Sequence, residues 1–354
     1  MALTTVSSER LSTNVKNTNF TATEKQDLTD DIKPLLGSSG GGNKNKIING
    51  DFSQDQRNEG AEVNPAVNDS YYPDRWSAHK DQANKFKIQR VSDDAPEGFK
   101  HAVKCTVVNT HNPTGGNYFY LAQKVEGNNI VDLDMGKSTA KKITVSFFVK
   151  SSVTGVYSVA IRNSAYNCSA VGEYTISSAN TWEKKTVNFL AATSIGTWLT
   201  TNGVGLRLEF PLGVGSTYQT STLLSFQSAN KQASTNAVQW INNAGATFLL
   251  TGVQLEKGDV GTEFDHEPET ITIAKCRRYY QTGFFKKYEN NTGVIAGSQN
   301  FIPEMRAAPT ITGEQFENAT NAIWSSVEVT TKRACSFYKA DNEICQRWKC
   351  NAEL

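Results

Sequence analysis

Between Lys141 and Ser152 the chain reads KKITVSFFVKSS, an alternation of polar and apolar positions rich in β-branched and aromatic residues. A period of two puts every second side chain on one face, which is the pattern of a half-buried strand. Val156–Asn163, Trp182–Ala191, Val204–Leu212 and Ala246–Glu256 repeat it. Weaker versions lie at Lys85–Val91, Ala102–Val108, Tyr118–Lys124 and Cys168–Ile176. Turn-forming clusters separate these runs: NPTGG at Asn112–Gly116, SSVTG at Ser151–Gly155 and SSAN at Ser177–Asn180. About ten short strands at this spacing, with no helical period between them, predict one antiparallel β-sandwich over residues 47–267.

Two regions depart from this rhythm. Residues 1–46 carry few apolar residues and end in the run Ser38-Ser39-Gly40-Gly41-Gly42, a flexible linker by composition. Within them Thr23 can cap a short helix reaching about Leu36. Leu28, Ile32 and Leu35 would form its one apolar stripe. A stripe of three cannot hold an isolated helix in water, so the segment is expected to dock on a partner. At the other end, TITIAKCRRYYQTG (270–283) puts Ile273, Cys276, Tyr279 and Tyr280 on one helical face. Alternating runs then return at Ile323–Thr330 and Arg333–Tyr338. The expected organisation is an N-terminal attachment or oligomerisation segment (1–46), a sandwich (47–275) and a small C-terminal β unit (276–354).

The charge balance removes some partners. Lys and Arg total 36 against 35 Asp and Glu, so no concentrated basic surface for nucleic acid is expected. No run approaches the roughly 18 apolar residues of a membrane-spanning helix. The start MALTTVSSERLSTN has no basic region followed by an apolar core, so no secretory signal is expected.

Candidate chemistry is sparse. His79, His101, His111 and His266 are scattered, and neither HExxH nor GxSxG occurs. GVGST at Gly213–Thr217 lacks the lysine of a phosphate-binding loop. The alternating acids Glu263, Asp265, Glu267 and Glu269 would share a strand face, but such crowding suits a solvated loop better than a catalytic pair. Six cysteines include no CxxC; Cys335, Cys345 and Cys350 are the only cluster, and all six read as buried thiols. A hairpin turning at Asp341-Asn342 would set Cys335 opposite Trp348, with Cys335 and Cys350 on one face. No catalytic residue and no required cofactor are expected.

Aromatic residues carry the binding expectation. Sugars present C–H faces that stack on aromatic rings. Tyr71, Tyr72, Tyr166, Trp198, Tyr218 and Trp240 fall in expected loops or at their edges and are the candidate carbohydrate contacts. Trp76 and Trp182 start strands and are expected in the core.

Two phrases bracket the sandwich: IINGDFSQDQRNEG…YYPDRW from Ile47 to Trp76, and FLLTGVQLEKGDVGTEFDHEP…CRRYYQ from Phe248 to Gln281. With VSFFVKS, TWEKKTVNF, MRAAPT and the terminal NAEL, they resemble a jelly-roll module, similar to carbohydrate-binding modules, that recurs in bacteriophage tail-fibre and tail-associated proteins. The resemblance implies a short first strand at NGDF and a structural role for YYPDRW, with Arg75 pairing a carboxylate. It implies a virion protein made in the host cytoplasm, most often a homotrimer. Such a protein attaches to other virion proteins through its N-terminal segment and contacts a host-surface glycan. A head-decoration or horn-like fibre and a polysaccharide-degrading tail enzyme are the alternatives. Related sandwiches often hold a structural Ca²⁺ between first and last strands, and here the matching oxygen donors would be Asn49, Asp51, Glu256 and Asp259.

Overall fold

A computed structural model describes residues 44–65, 68–288, 295–315, 326–339 and 343–354. The expected attachment helix within residues 1–46 lies outside the described residues.

Two antiparallel sheets form a jelly-roll sandwich. One has six strands in the order β1 (Ser70–Tyr71), β2 (Trp76–Lys80), β5 (Tyr118–Glu126), β10 (Val204–Val214), β7 (Gly155–Arg162) and β8 (Ser169–Ile176). The other has five, in the order β3 (Phe86–Val91), β4 (Ala102–Val107), β13 (Thr247–Lys257), β6 (Ile143–Ser151) and β9 (Glu183–Phe189). The alternation decides the inner faces. Ile143, Val145, Phe147 and Val149 of β6 are buried against Leu206, Leu208, Phe210 and Leu212 of β10. Phe147 meets Phe210 edge-on at 5.0 Å across the core. The edge strand β9 keeps Lys184, Thr186 and Asn188 exposed while Val187 and Phe189 turn inward. Pro211 sits in the middle of β10, where a missing N–H would normally cost a ladder bond. The β7 ladder ends at Glu209, two residues before it, and a register shift follows on the β5 side.

The bracketing phrases meet in space. NGDF is not a strand: Asn49 (φ 59°) and Phe52 (φ 56°) take left-handed backbone, so the phrase folds as a turn. Val253 N of β13 donates to Gly50 O at 2.9 Å. A Cβ on Gly50 would stand 2.1 Å from Val253 O, so no side chain fits there. The Asn49 amide bonds Gln54 and Asp74, and Trp76 Nε1 donates to Asn49 O at 2.9 Å. The opening turn, the YYPDRW segment and the closing strand are thereby one clamp. Trp76 is buried, while Trp182 is partly buried against a small cluster of Val91, Ala102 and Leu249.

Beyond the sandwich, the helix α1 (Glu269–Arg277) leads into β14 (Tyr280–Tyr288), which pairs with β19 (Glu343–Asn351) and through it with β16 (Thr310–Gln315). A second sheet joins β15 (Ile295–Asn300), β18 (Ala334–Lys339) and β17 (Ser326–Thr330). The expected boundary at residue 275 falls inside α1. The turn expected at Asp341-Asn342 lies outside the described residues, and the flanking strands β18 and β19 belong to different sheets. Trp348 is opposite Gly283 and Gly313, not Cys335. Cys335 and Cys350 do come together in the small core with Phe301, Met305 and Trp348. Cys105, Cys168, Cys276, Cys335 and Cys350 are buried free thiols, and the Cys345 side chain lies outside the described residues.

Arg75 joins the two parts. It is fully buried, pairs with Glu353, donates to Lys124 O at 2.6 Å and stacks on Tyr279 at 3.6 Å. Arg57 bridges Glu353 and Asp74, at 3.0 Å each. Ala352 N donates to Tyr279 O at 2.8 Å. Among the described residues no helix is long and apolar enough to cross a membrane.

Candidate functional site

The outer face of the six-stranded sheet is built from the positions that alternate with its core. On β10 these are Arg207, Glu209 and Pro211. Register carries neighbouring side chains to the same face. Arg207 is opposite Lys124 on β5 and Arg162 on β7, Glu209 is opposite Ala122 and Ala160, and Pro211 is opposite Tyr120. On β2, Ser77 is opposite Ala122 and His79 is opposite Tyr120. The result is a row of three cations, Lys124–Arg207–Arg162, beside a row holding one carboxylate and a row of aromatic rings.

Most of these charges are buried and matched. Arg162 Nη2 lies 2.5 Å from Glu209 Oε1 and 3.0 Å from the Tyr120 hydroxyl. Lys124 Nζ lies 2.6 Å from Asp69 Oδ2 and 2.6 Å from Leu354 O. His79 stacks flat on Tyr120, with centroids 4.5 Å apart, and its Nε2 is 3.1 Å from Asp69 Oδ1 and 2.9 Å from Ser77 Oγ. Burial works against the charge of Arg162, but Glu209 outweighs it and holds the guanidinium above its ordinary pKa. Burial also works against the Asp69 carboxylate, yet His79 and then Lys124 hold its pKa down at about 2. Burial lowers His79 in spite of Asp69, so the imidazole is neutral at neutral pH.

Aromatic rings rim this floor. Tyr166 lies in the loop between β7 and β8 with a left-handed backbone (φ 57°). The Asn163 side chain braces that loop, accepting from the backbone N–H groups of Asn167 and Cys168 at 3.1 Å each. The Tyr166 ring covers both guanidinia, 4.6 Å from Arg162 and 4.5 Å from Arg207. Tyr118 continues the line at 5.8 Å from Tyr120, and Tyr218 meets Tyr118 edge-on at 6.1 Å. Tyr166, Tyr118 and Tyr218 are partly exposed. Tyr71 closes one end, its hydroxyl donating to Leu354 O at 3.0 Å.

Of the six sequence candidates, the fold brings Tyr166, Tyr218 and Tyr71 to this face. The other three need correction. Tyr72 is buried in the sandwich core. Trp240 is fully buried, its indole N–H donating to Thr247 O at 3.2 Å and its ring packed edge-on near Phe248. Trp198 is 8% exposed, donates to Ile195 O at 3.0 Å and packs edge-on against Phe226. Both tryptophans sit on connections that fold back over the ends of the core, so neither offers a ring to a ligand. Sequence pattern does not single out Tyr118, Tyr120, His79, Lys124, Arg162, Arg207 or Glu209. One signal was present: Arg207 and Glu209 interrupt the leucines of LRLEFPL at a spacing of two.

The four expected calcium donors do not form one ligand set. Both ends of the Asn49 amide are used on the backbone of Gln54 and Asp74. Asp51 accepts from Ser53, Glu256 accepts from Thr262 N at 3.0 Å and from its hydroxyl at 2.6 Å, and Asp259 faces Lys142 at 3.2 Å. Among the described residues no three His, Cys, Asp or Glu side chains converge. The acidic run is not a strand either. Glu263 points to Lys184 and Glu267 to Lys275, while Glu269 opens α1.

No protein-family model matches the chain, and no curated protein matches it. Among solved structures, it is similar to the arabinose-bound MgGH51 α-L-arabinofuranosidase, at 12% identity over 62% of this chain and TM-score 0.35; the match spans only 27% of that chain. TmCBM61 in complex with β-1,4-galactotriose matches at 14% identity over 61% of this chain and 99% of that one, with TM-score 0.29. The family 11 carbohydrate-binding module of a Clostridium thermocellum cellulosomal cellulase matches at 14% identity over 58% of this chain and 98% of that one, with TM-score 0.27. The sandwich stands on its own strand order. Identities and scores this low add no argument about ligand or residue role.

Proposed function

We propose that this chain is a non-catalytic glycan-binding protein of a bacteriophage virion, a tail fibre or tail-tip component that contacts host-surface carbohydrate. The observation that carries the binding reading is the outer face of the six-stranded sheet, where partly exposed Tyr118, Tyr166 and Tyr218 rim a floor of buried charged and hydrogen-bonding groups. Rings supply stacking surface and the polar groups around them suit hydroxyls. The virion reading is supported by the sequence resemblance of the bracketing phrases, and with it come homotrimer assembly and attachment through residues 1–46.

Stacking on one ring contributes roughly 0.5–1.5 kcal/mol. A single face therefore binds weakly, near the millimolar range. Several copies in one fibre would raise avidity about 10²–10⁴-fold. The test is adhesion of purified protein to host cells, with free host polysaccharide as competitor. Competition by the polysaccharide and weaker adhesion of Tyr166→Ala support the reading. Release of reducing ends from that polysaccharide, or adhesion indifferent to it, counts against it. Immunolabelling of intact particles tests the virion assignment separately.

A further inference from the structure

The row of three cations on the outer face is incompletely matched. Arg162 has Glu209 and Lys124 has Asp69. Arg207 stands between them on β10 with no ion pair among the described residues, although only 7% of it is exposed. Its Nε and Nη1 are buried and donate to nothing. Buried donors are almost always satisfied, and a buried cation without a counter-charge is costly. The Tyr166 ring at 4.5 Å packs against the guanidinium but accepts neither N–H. Two residues along the same strand and face, Glu209 Oε2 is a buried acceptor that is also unsatisfied. Strand geometry separates the two positions by about 7 Å, comparable to the width of one pyranose ring.

A guanidinium holds a carboxylate in bidentate fashion through Nη2 together with either Nε or Nη1, so a carboxylate on Arg207 would satisfy one of its two orphaned donors. A neutral hydroxyl could satisfy one N–H but would leave the charge unmatched. A phosphate dianion would meet the Glu209 carboxylate close by, whereas a singly charged acid carrying a hydroxyl meets both orphans with the right sign. We propose that this face selects an acidic sugar residue, Arg207 taking its carboxylate and Glu209 Oε2 accepting one of its hydroxyls. This inference rests on the glycan-binding reading of the same face and specifies its ligand class.

The test uses the full chain and matched oligosaccharide pairs: hexuronate oligomers and the same oligomers after carboxyl reduction, with inorganic phosphate as a third arm. Calorimetric titration should show the acidic member binding about tenfold or more tighter than its reduced partner, and phosphate failing to compete. Arg207→Gln should erase that preference while its melting temperature stays level or rises, since no internal partner is orphaned by the change. Arg207→Lys should retain part of it. Equal binding of both members of each pair overturns the acidic-sugar inference and leaves glycan binding standing. Binding of neither member of any pair overturns the acidic-sugar inference, and competition by host polysaccharide then decides the glycan-binding reading separately. Competition by phosphate reassigns the site to phosphorylated ligands and overturns the carboxylate assignment. A fall in the melting temperature of Arg207→Gln, with the preference intact, assigns Arg207 a purely structural role.

Discussion

The six-stranded sheet has two faces made by the same strands, and they are stabilised by opposite means. On β10, Leu206, Leu208, Phe210 and Leu212 bury carbon against the second sheet, while Arg207 and Glu209 between them bury charge against loops. The inner face tolerates any well-packed apolar side chain and specifies no ligand. The outer face is held by pairs whose removal leaves a buried charge behind, and it keeps orphaned donors and acceptors that an apolar face cannot have. Burial and polarity coincide here outside the core, which is the arrangement on which the proposed recognition role rests.

The largest expected effects test the assignment of aromatic rings to the two faces. Trp240→Ala should destabilise the chain by about 3–5 kcal/mol in denaturant unfolding, because it empties a fully buried site. Glycan affinity per folded molecule should not change. A variant of near-native stability that no longer binds would move Trp240 from core to site.

The buried pair on the outer face comes next. Glu209→Ala should cost about 3–5 kcal/mol by leaving the buried Arg162 without a counter-charge. Joint replacement, Arg162→Met with Glu209→Leu, should recover most of that loss. If the double variant is as unstable as the single one, the pair is not the unit that holds this face.

The sequence made the inner face far more legible than the outer. Strands β6, β7, β9, β10 and β13 follow from alternation in single segments, and the weaker runs at β3, β4, β5 and β8 also hold. Period two even places Arg207 and Glu209 on one face. What alternation cannot supply is register between strands distant in sequence. Arg162 and Lys124 reach Arg207 only because β7 and β5 flank β10. The tryptophans mislead for a related reason: sequence places them in loops, but a loop position need not be exposed, and the connections carrying Trp198 and Trp240 bury both rings. Likewise β18 and β19 look like a hairpin because they are adjacent in sequence, yet each finds its partners in another sheet.

Smaller effects sharpen the outer face. Tyr166→Ala should weaken glycan binding by roughly 0.5–1.5 kcal/mol, a few-fold to about tenfold. Its melting temperature should drop less than that of Trp240→Ala. Unchanged affinity would exclude Tyr166 as a stacking ring.

A pH series probes the outer face through His79 and Asp69. His79 has its pKa lowered by burial, so the unfolded chain takes up the proton first. Its contribution to stability is present at neutral pH and is lost as pH falls through about 6.5. Asp69, held at about 2, adds a loss that begins near the ordinary carboxylate range, about pH 4, and runs downward. Asp74, raised to about 6 chiefly by burial, acts in the opposite sense and favours the folded state as the pH is lowered. Comparison with His79→Gln isolates the first contribution. Between pH 7.5 and 5 the native chain should lose melting temperature relative to this variant, and parallel curves would contradict the assignment.

Where the ligand sits decides whether the outer face is the binding face. Hydrogen–deuterium exchange of the full chain, with and without saturating host polysaccharide, reports which backbone segments are shielded. Protection should be confined to the outer face of the six-stranded sheet, in peptides covering 118–124, 162–169 and 204–214. Protection over β3, β4 and β9 of the opposite sheet, with the Tyr166 loop unchanged, would contradict that placement.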